Sequence, residues 1–249
     1  MKRVYFFSIA ALIVTLFSST GVSAQELTIF SVKDVQGGED YNVKLQILFF
    51  MTVLSLLPAL LIVMSSFTRI IVVLAILRQA LGLQQTPPNR ILIGIALTLT
   101  LLIMRPVWQD IYYNAFKPYS NDEVTFNEAL SRAEVPVRTF MLAQIRETEL
   151  EQVLRIADQP LTMEPEEVPF DVLVPAFVLS ELTTAFQIGF MLFIPFLIID
   201  LVVASVLMSM GMMMLSPLIV SLPFKLMIFV LADGWSMIAG TLSATFGGL

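Results

Sequence analysis

Between Asp171 and Leu249 the chain carries only four charged side chains, Glu181, Asp200, Lys225 and Asp233, set in runs of Leu, Ile, Val, Phe and Met. Apolar runs of this kind leave few folds open. In lipid the backbone must satisfy its own hydrogen bonds, so only helices and closed barrels remain. A carboxylate in such surroundings is expensive unless it is paired or faces a wet interior, and it marks function by default. In the stretch from Pro175 to Phe190, PAFVLSELTTAFQIGF, Ser180, Thr183, Thr184 and Gln187 share one side of a helical wheel, with Glu181 at its edge. Val178, Leu179, Leu182, Ala185, Phe186 and Gly189 take the other side. One span alone in lipid cannot satisfy that polar stripe. The helix requires protein neighbours.

The whole chain is 57% hydrophobic with a mean hydropathy of +0.85, against about 45–50% apolar residues in a soluble domain. An integral membrane protein is expected. The absence of Cys and His excludes thiol nucleophiles, disulfides, histidine bases and nearly every transition-metal site. There is no Walker-type phosphate loop and no basic patch interleaved with aromatics. No cofactor, no metal, no nucleic-acid partner and no enzymatic activity are expected.

Residues 1–24 have the pattern of a cleavable signal peptide. Lys2 and Arg3 form the positive region, Val4 to Phe17 the apolar one, and Val22-Ser23-Ala24 a small-residue cleavage site before Gln25. The alternative, a retained first span, has only 14 apolar residues where about 20 are needed. Residues 25–44 then form a short polar periplasmic segment of net charge −2. Residues 45–105 read as a first hydrophobic helical pair. Leu45 to Phe67 is long enough to span, with a kink expected at Pro58. The stretch from Arg69 to Arg90, with three Arg and no acid, is expected as a cytoplasmic loop. Ile91 to Met104 is short for a lipid span and better packed against protein.

Residues 106–171 hold five basic and thirteen acidic side chains. They read as a small, acidic, helical periplasmic domain. Within it, Pro136 to Asp158 is expected as one amphipathic helix starting at its proline. Residues 172–249 form the second hydrophobic region, where Pro175, Pro195, Pro217 and Pro223 suggest kinked hairpins. The expected fold class is all-α: a multi-pass membrane protein of proline-kinked hydrophobic helical hairpins with a small helical periplasmic domain. Four membrane segments follow, with the C-terminus outside.

Scarcity of charge selects the candidate residues. Lys225 is the only basic residue after Arg155, and Glu181 is the acid set deepest in an apolar run. Pairing of the two, within a chain or across a subunit boundary, avoids two lone buried charges; the competing reading has each snorkel separately to an interface. Met208, Met210, Met212, Met213 and Met214 crowd around Gly211. Methionine adapts to irregular surfaces, so this is either filler at a hairpin turn or a deformable ring in a symmetric assembly. Asp200 and Asp233 could form an aspartyl protease dyad, but their surroundings, LIIDL and LADGW, lack that context. They are expected to cap helix ends or to join a polar network with Gln187 and Thr184. A proton relay through Glu181, Asp200 and Asp233 would make the chain a small-ion transporter.

Five stretches carry a resemblance: the one from Pro175 to Phe190, PFLIIDLVVASV (Pro195 to Val206), SFTRIIVVLAILRQALGLQQTPPNRILIG (Ser66 to Gly94), MSMGMMMLSP (Met208 to Pro217) and SLPFKLMIFVLADGW (Ser221 to Trp235). They resemble the signature segments of the FliP family of flagellar type III export-gate proteins. The resemblance implies a non-enzymatic gate subunit in the bacterial inner membrane, within the flagellar basal body. Several copies would assemble with FliQ and FliR and other export-apparatus membrane proteins, and unfolded flagellar subunits would pass through. It also implies a gate largely on the periplasmic side, closed by the methionine-rich loop as a gasket. The injectisome counterpart shares the core motifs. The signal-like segment and residues 25–44 favour the flagellar branch.

If the signal peptide is removed, the protein purified from membranes should begin at Gln25 on N-terminal sequencing. Recovery of intact Met1 to Ala24 from cells would reject the cleavage site.

Overall fold

A computed structural model describes residues 39–161, 167–212 and 215–247; the signal segment and its Ala24-Gln25 junction lie outside them. The described residues are all helix, turn and loop. The described residues fall into two compact units, divided between Thr52 and Val53. The helices are α1 (Glu39–Val63), α2 (Phe67–Ala80), α3 (Asn89–Ile103), α4 (Arg105–Ile111), α5 (Lys117–Ser120), α6 (Phe126–Gln144), α7 (Glu147–Ile156), α8 (Phe170–Ser209), α9 (Pro217–Leu231) and α10 (Gly234–Ala244), with a π-helical turn at Tyr112–Phe116.

The second unit is organised around α2. Ile70, Val73, Leu74, Leu77 and Ala80 are buried at the spacing of one helical face, packed against α8 and α3. The expected loop from Arg69 to Arg90 is therefore mostly helix; only residues 81–88 connect. Its first arginine lies in the core because it falls in register with Val73 and Leu77. Gly82 ends α2 at φ +80°, donating to the Gln79 carbonyl while Leu83 donates to that of Arg78. This is a Schellman stop, which favours glycine. In α3, Leu92, Ala96, Thr100 and Ile103 are buried while Ile93, Leu97, Leu101 and Leu102 are exposed. The short apolar segment thus packs on protein along one side only.

Prolines interrupt less than their number suggests. Helix α8 runs 40 residues with Pro175 and Pro195 inside it, and α1 passes through Pro58. Each proline removes one backbone donor, and the bonds on either side carry the helix on. The expected break of the second hydrophobic region thus comes after Ser209. The α9–α10 pair bends by 65° and the segment from Asn89 to Ser120 by 57°. Neither bend sits on a proline ring inside a helix. Asp233, in left-handed conformation at φ 48°, makes the first, and Met104 at ψ 0° makes the second.

In the acidic segment the helix begins at Phe126, where the Thr125 hydroxyl accepts from the Glu128 N–H at 3.4 Å. Pro136 lies inside it. The single helix expected from Pro136 to Asp158 breaks at Ile145-Arg146, both extended. Ser180 of α8 accounts for the break. Its buried hydroxyl donates to the Gln144 carbonyl and accepts from the Arg146 N–H, both at 3.0 Å. Phe140 of α6 then stacks near Phe177 and Phe246, with ring centres 5.8 and 6.3 Å away.

Helices α2 and α8 come close at Gly189, where an added Cβ would meet the Ile76 Cδ1 at 2.4 Å and its Cβ at 3.2 Å. Ala185, one turn earlier, is also buried, giving the small-residue pair that lets helices meet in membranes. Gly189→Leu should therefore destabilise the detergent-solubilised chain by about 1–3 kcal/mol, the usual cost of overpacking. Pairing it with Ile76→Ala should recover part of the loss in thermal midpoint. An unchanged midpoint in the single variant would contradict the close approach.

Candidate functional site: two buried ion pairs and a methionine-rich loop

Two charged clusters lie inside the second unit. The first is built on Arg69, 2% exposed, and Glu181, fully buried. The Arg69 Nε donates to Glu181 Oε2 at 3.0 Å and Nη2 donates to Oε1, a fork-to-fork pair. Nη2 also donates to the Gln144 side-chain oxygen at 2.9 Å. Nη1 donates to the Thr245 hydroxyl at 3.2 Å and to its carbonyl at 3.3 Å. All five guanidinium protons have acceptors. The plane rests on the Phe246 ring, 3.9 Å from its centre. Residues from α2, α6 and α8 and from the turn after α10 meet at this one side chain.

The second cluster is built on Lys225 of α9, 1% exposed. Its Nζ donates to Asp200 Oδ2 at 2.6 Å and to the Ala80 carbonyl at 3.1 Å. The Ser221 hydroxyl, one turn before Lys225, donates to Asp200 Oδ1 at 2.5 Å. Ala80 is the last residue of α2, where carbonyls lack helical partners, and an ammonium there also meets the negative end of the helix dipole. The ion pair therefore joins α8 to α9 and closes the end of α2.

These geometries correct the expected Glu181–Lys225 pair. Each has another partner within the chain, because Arg69, counted as a loop charge, is in the core and Asp200 lies one helix away from Lys225. The expected polar network is not assembled either. Asp200 pairs with Lys225, while Asp233 is exposed at the α9–α10 bend without a side-chain cap bond. Gln187 is exposed and Thr184 half-buried. Glu181, Asp200 and Asp233 do not form a relay, since two are held in separate ion pairs and the third faces outward. Of the polar stripe on α8, Ser180 and Glu181 are the buried members.

Arg69, Gln144, Ser221 and Thr245 were missed by sequence reasoning. For Arg69 a signal existed in its four-residue register with Val73 and Leu77. For the others none did, since isolated polar residues at helix ends, like Gln144 and Thr245, or within a helix, like Ser221, are common.

The methionine-rich segment begins on the last turn of α8. Gly211, at φ +73°, stops the helix, with Gly211 donating to the Met208 carbonyl and Met212 to that of Leu207. Met208, Met210 and Met212 are exposed; Met213 and Met214 lie outside the described residues.

Comparison with known proteins bears on this arrangement. The model of the FliP family matches residues 50–242. Among curated relatives, the flagellar biosynthetic protein FliP of Pectobacterium carotovorum is 52% identical over 93% of this chain and 90% of its own length. That of Cereibacter sphaeroides is 50% identical over 88% of this chain and 72% of its own. That of Bacillus subtilis is 46% identical over 88% of this chain and 98% of its own. The matched span contains Arg69, Glu181, Asp200, Lys225 and the methionine-rich segment, and stops short of Thr245.

A double-mutant cycle separates the pairings. Arg69 with Glu181 should show a coupling of about 1–3 kcal/mol in stability, as for residues sharing a network. Glu181 with Lys225 should show less than about 0.5 kcal/mol, as for independent sites. Glu181→Gln alone should cost about 3–5 kcal/mol, because it leaves a buried guanidinium without its counter-charge. Strong coupling between Glu181 and Lys225 would restore the pairing read from the sequence.

Proposed function

The chain belongs to the FliP family, and from that premise we propose that it is a core subunit of the flagellar type III protein export gate. In this reading several copies assemble with FliQ and FliR into the channel through which unfolded flagellar subunits leave the cell. It works in the bacterial inner membrane at the flagellar basal body, with the acidic helices on the periplasmic side. The role is structural and conductive rather than enzymatic. The observation that carries the reading is the family match across most of the chain. The flagellar names of the relatives favour this branch over the injectisome.

The surface supports a subunit surrounded by lipid and by other chains. Leu54, Leu57, Phe186, Phe190, Met191, Ile219, Val230 and Leu231 are among many large apolar side chains left exposed, far beyond the patch a soluble monomer leaves open. At 1.5 Å per residue, α8 is about 60 Å long, roughly twice a hydrocarbon core. Its first half packs against α2, α6 and α7 around the Arg69–Glu181 pair, so one side of it is covered by protein. That division fits a gate standing partly above the bilayer. The exposed methionines at the end of α8 are placed on this reading as the gasket.

Because the chain has no cysteine, single cysteines report cleanly. In spheroplasts Asn127→Cys should react with a membrane-impermeant maleimide and Gln85→Cys should not. Oxidation of Met210→Cys in membranes should yield disulfide-linked dimers if the loops converge on one axis. Reversed labelling would overturn the orientation, and strictly monomeric protein the gasket.

A further inference from the structure

Two adjoining cavities on the second unit combine an apolar trough with a basic mouth. The trough, about 720 Å³, lies between α2 and α8 and is walled by Val72, Ala75, Ile76, Phe186 and Phe193. The mouth, about 760 Å³, is lined by Gln85, Asn89 and Arg90. Arg78 and Gln84 line both, so the two spaces are neighbours at these side chains. Arg78 uses Nη1 alone for the Pro87 carbonyl (3.2 Å) and the Asn89 side-chain oxygen (2.6 Å). Arg90 is exposed and has no ion-pair partner among the described residues. From Ser66 to Gln109 the chain has four arginines and no acid, and Arg69 is already neutralised by Glu181.

We propose that this trough and mouth bind an anionic phospholipid, with an acyl chain along α2 and α8 and the phosphate held by Arg78 and Arg90. Charge complementarity selects the occupant. A guanidinium presents paired donors that match phosphate oxygens, and basic pockets between membrane helices hold acidic headgroups. The apolar walls select a molecule that brings hydrocarbon with its charge, which free phosphate does not. The Arg78–Asn89 bond sets the guanidinium between α2 and the start of α3, at the rim shared by both spaces. A lipid seated there would brace the crossing where Gly189 meets Ile76. The inference rests on the membrane placement proposed above.

The test is native mass spectrometry of the full chain, extracted in detergent, stripped of lipid and offered equal amounts of palmitoyl-oleoyl phosphatidylglycerol and phosphatidylcholine. Wild type should retain the glycerol lipid over the choline lipid on the order of tenfold, the scale of two basic side chains at an anionic surface. Arg78→Gln with Arg90→Gln should remove the preference. Arg78→Lys with Arg90→Lys should keep part of it, showing that charge and not folding is at stake. Ala75→Trp should reduce retention of both lipids, and inorganic phosphate should compete poorly. Equal retention of the two lipids, a preference untouched by the glutamine variants, or full competition by inorganic phosphate would overturn the proposal. A dimer removed by Ala75→Trp would assign the trough to a second copy and overturn it too. A chain recovered from the soluble fraction without detergent would overturn both this inference and the membrane placement. A chain extracted from membranes without headgroup preference overturns this inference alone.

Discussion

The interior of this protein depends on a charge that apolar surroundings ought to expel. A buried guanidinium is tolerable only when each of its protons has an acceptor and its charge has a counter-charge. Arg69 meets both conditions through Glu181, Gln144 and Thr245, and covers its remaining face with Phe246. Each of those acceptors lies more than seventy residues from Arg69 in sequence. Satisfying one side chain therefore brings together α2, α6, α8 and the end of the chain. A buried pair of this kind adds little net stability over a well-packed apolar substitute. What it contributes here is register, since a helix shifted by one residue would strand the charge.

Lys225 acts on the same helix at its other end. The 14 residues of α2 are held near the start by Arg69 and at the last carbonyl by Lys225, which Asp200 in turn holds against α8. Between the two anchors α2 presents an apolar face, and at Gly189 an added Cβ would press on the Ile76 side chain. Two polar clamps with a small-residue crossing between them are a means of choosing partners that still operates in an apolar environment. There the hydrophobic effect no longer distinguishes neighbour from lipid, and packing and hydrogen bonds must choose the partner.

The rest of the surface follows from the same economy of charge. Outside the clamps and the acidic helices, the second unit exposes mostly hydrocarbon, which on the reading proposed above faces lipid or other chains. The methionine-rich segment differs only in kind. Methionine side chains are flexible, and here Met208, Met210 and Met212 lie exposed around the glycine that stops α8.

Some of this was legible in the residues alone. Runs of apolar residues determined an all-helical chain, because the bonding demand of backbone in apolar surroundings is local and is met within each helix. The long motifs determined the family, and scarcity of charge singled out Glu181 and Lys225 as residues that must be paired. Which partner each would take was decided by tertiary structure. Arg69 reads as a loop charge until α2 is seen to continue through it, and Asp200 reads as a helix cap until α9 lies beside it. The prolines misled for a related reason. A proline removes one donor from a helix, and whether the helix breaks there is decided by the packing on either side, which for Pro175 and Pro195 holds α8 in one piece. Periodicity along the sequence says which residues share a face, whereas the identity of what meets that face is settled only when distant segments compete for the same buried acceptor.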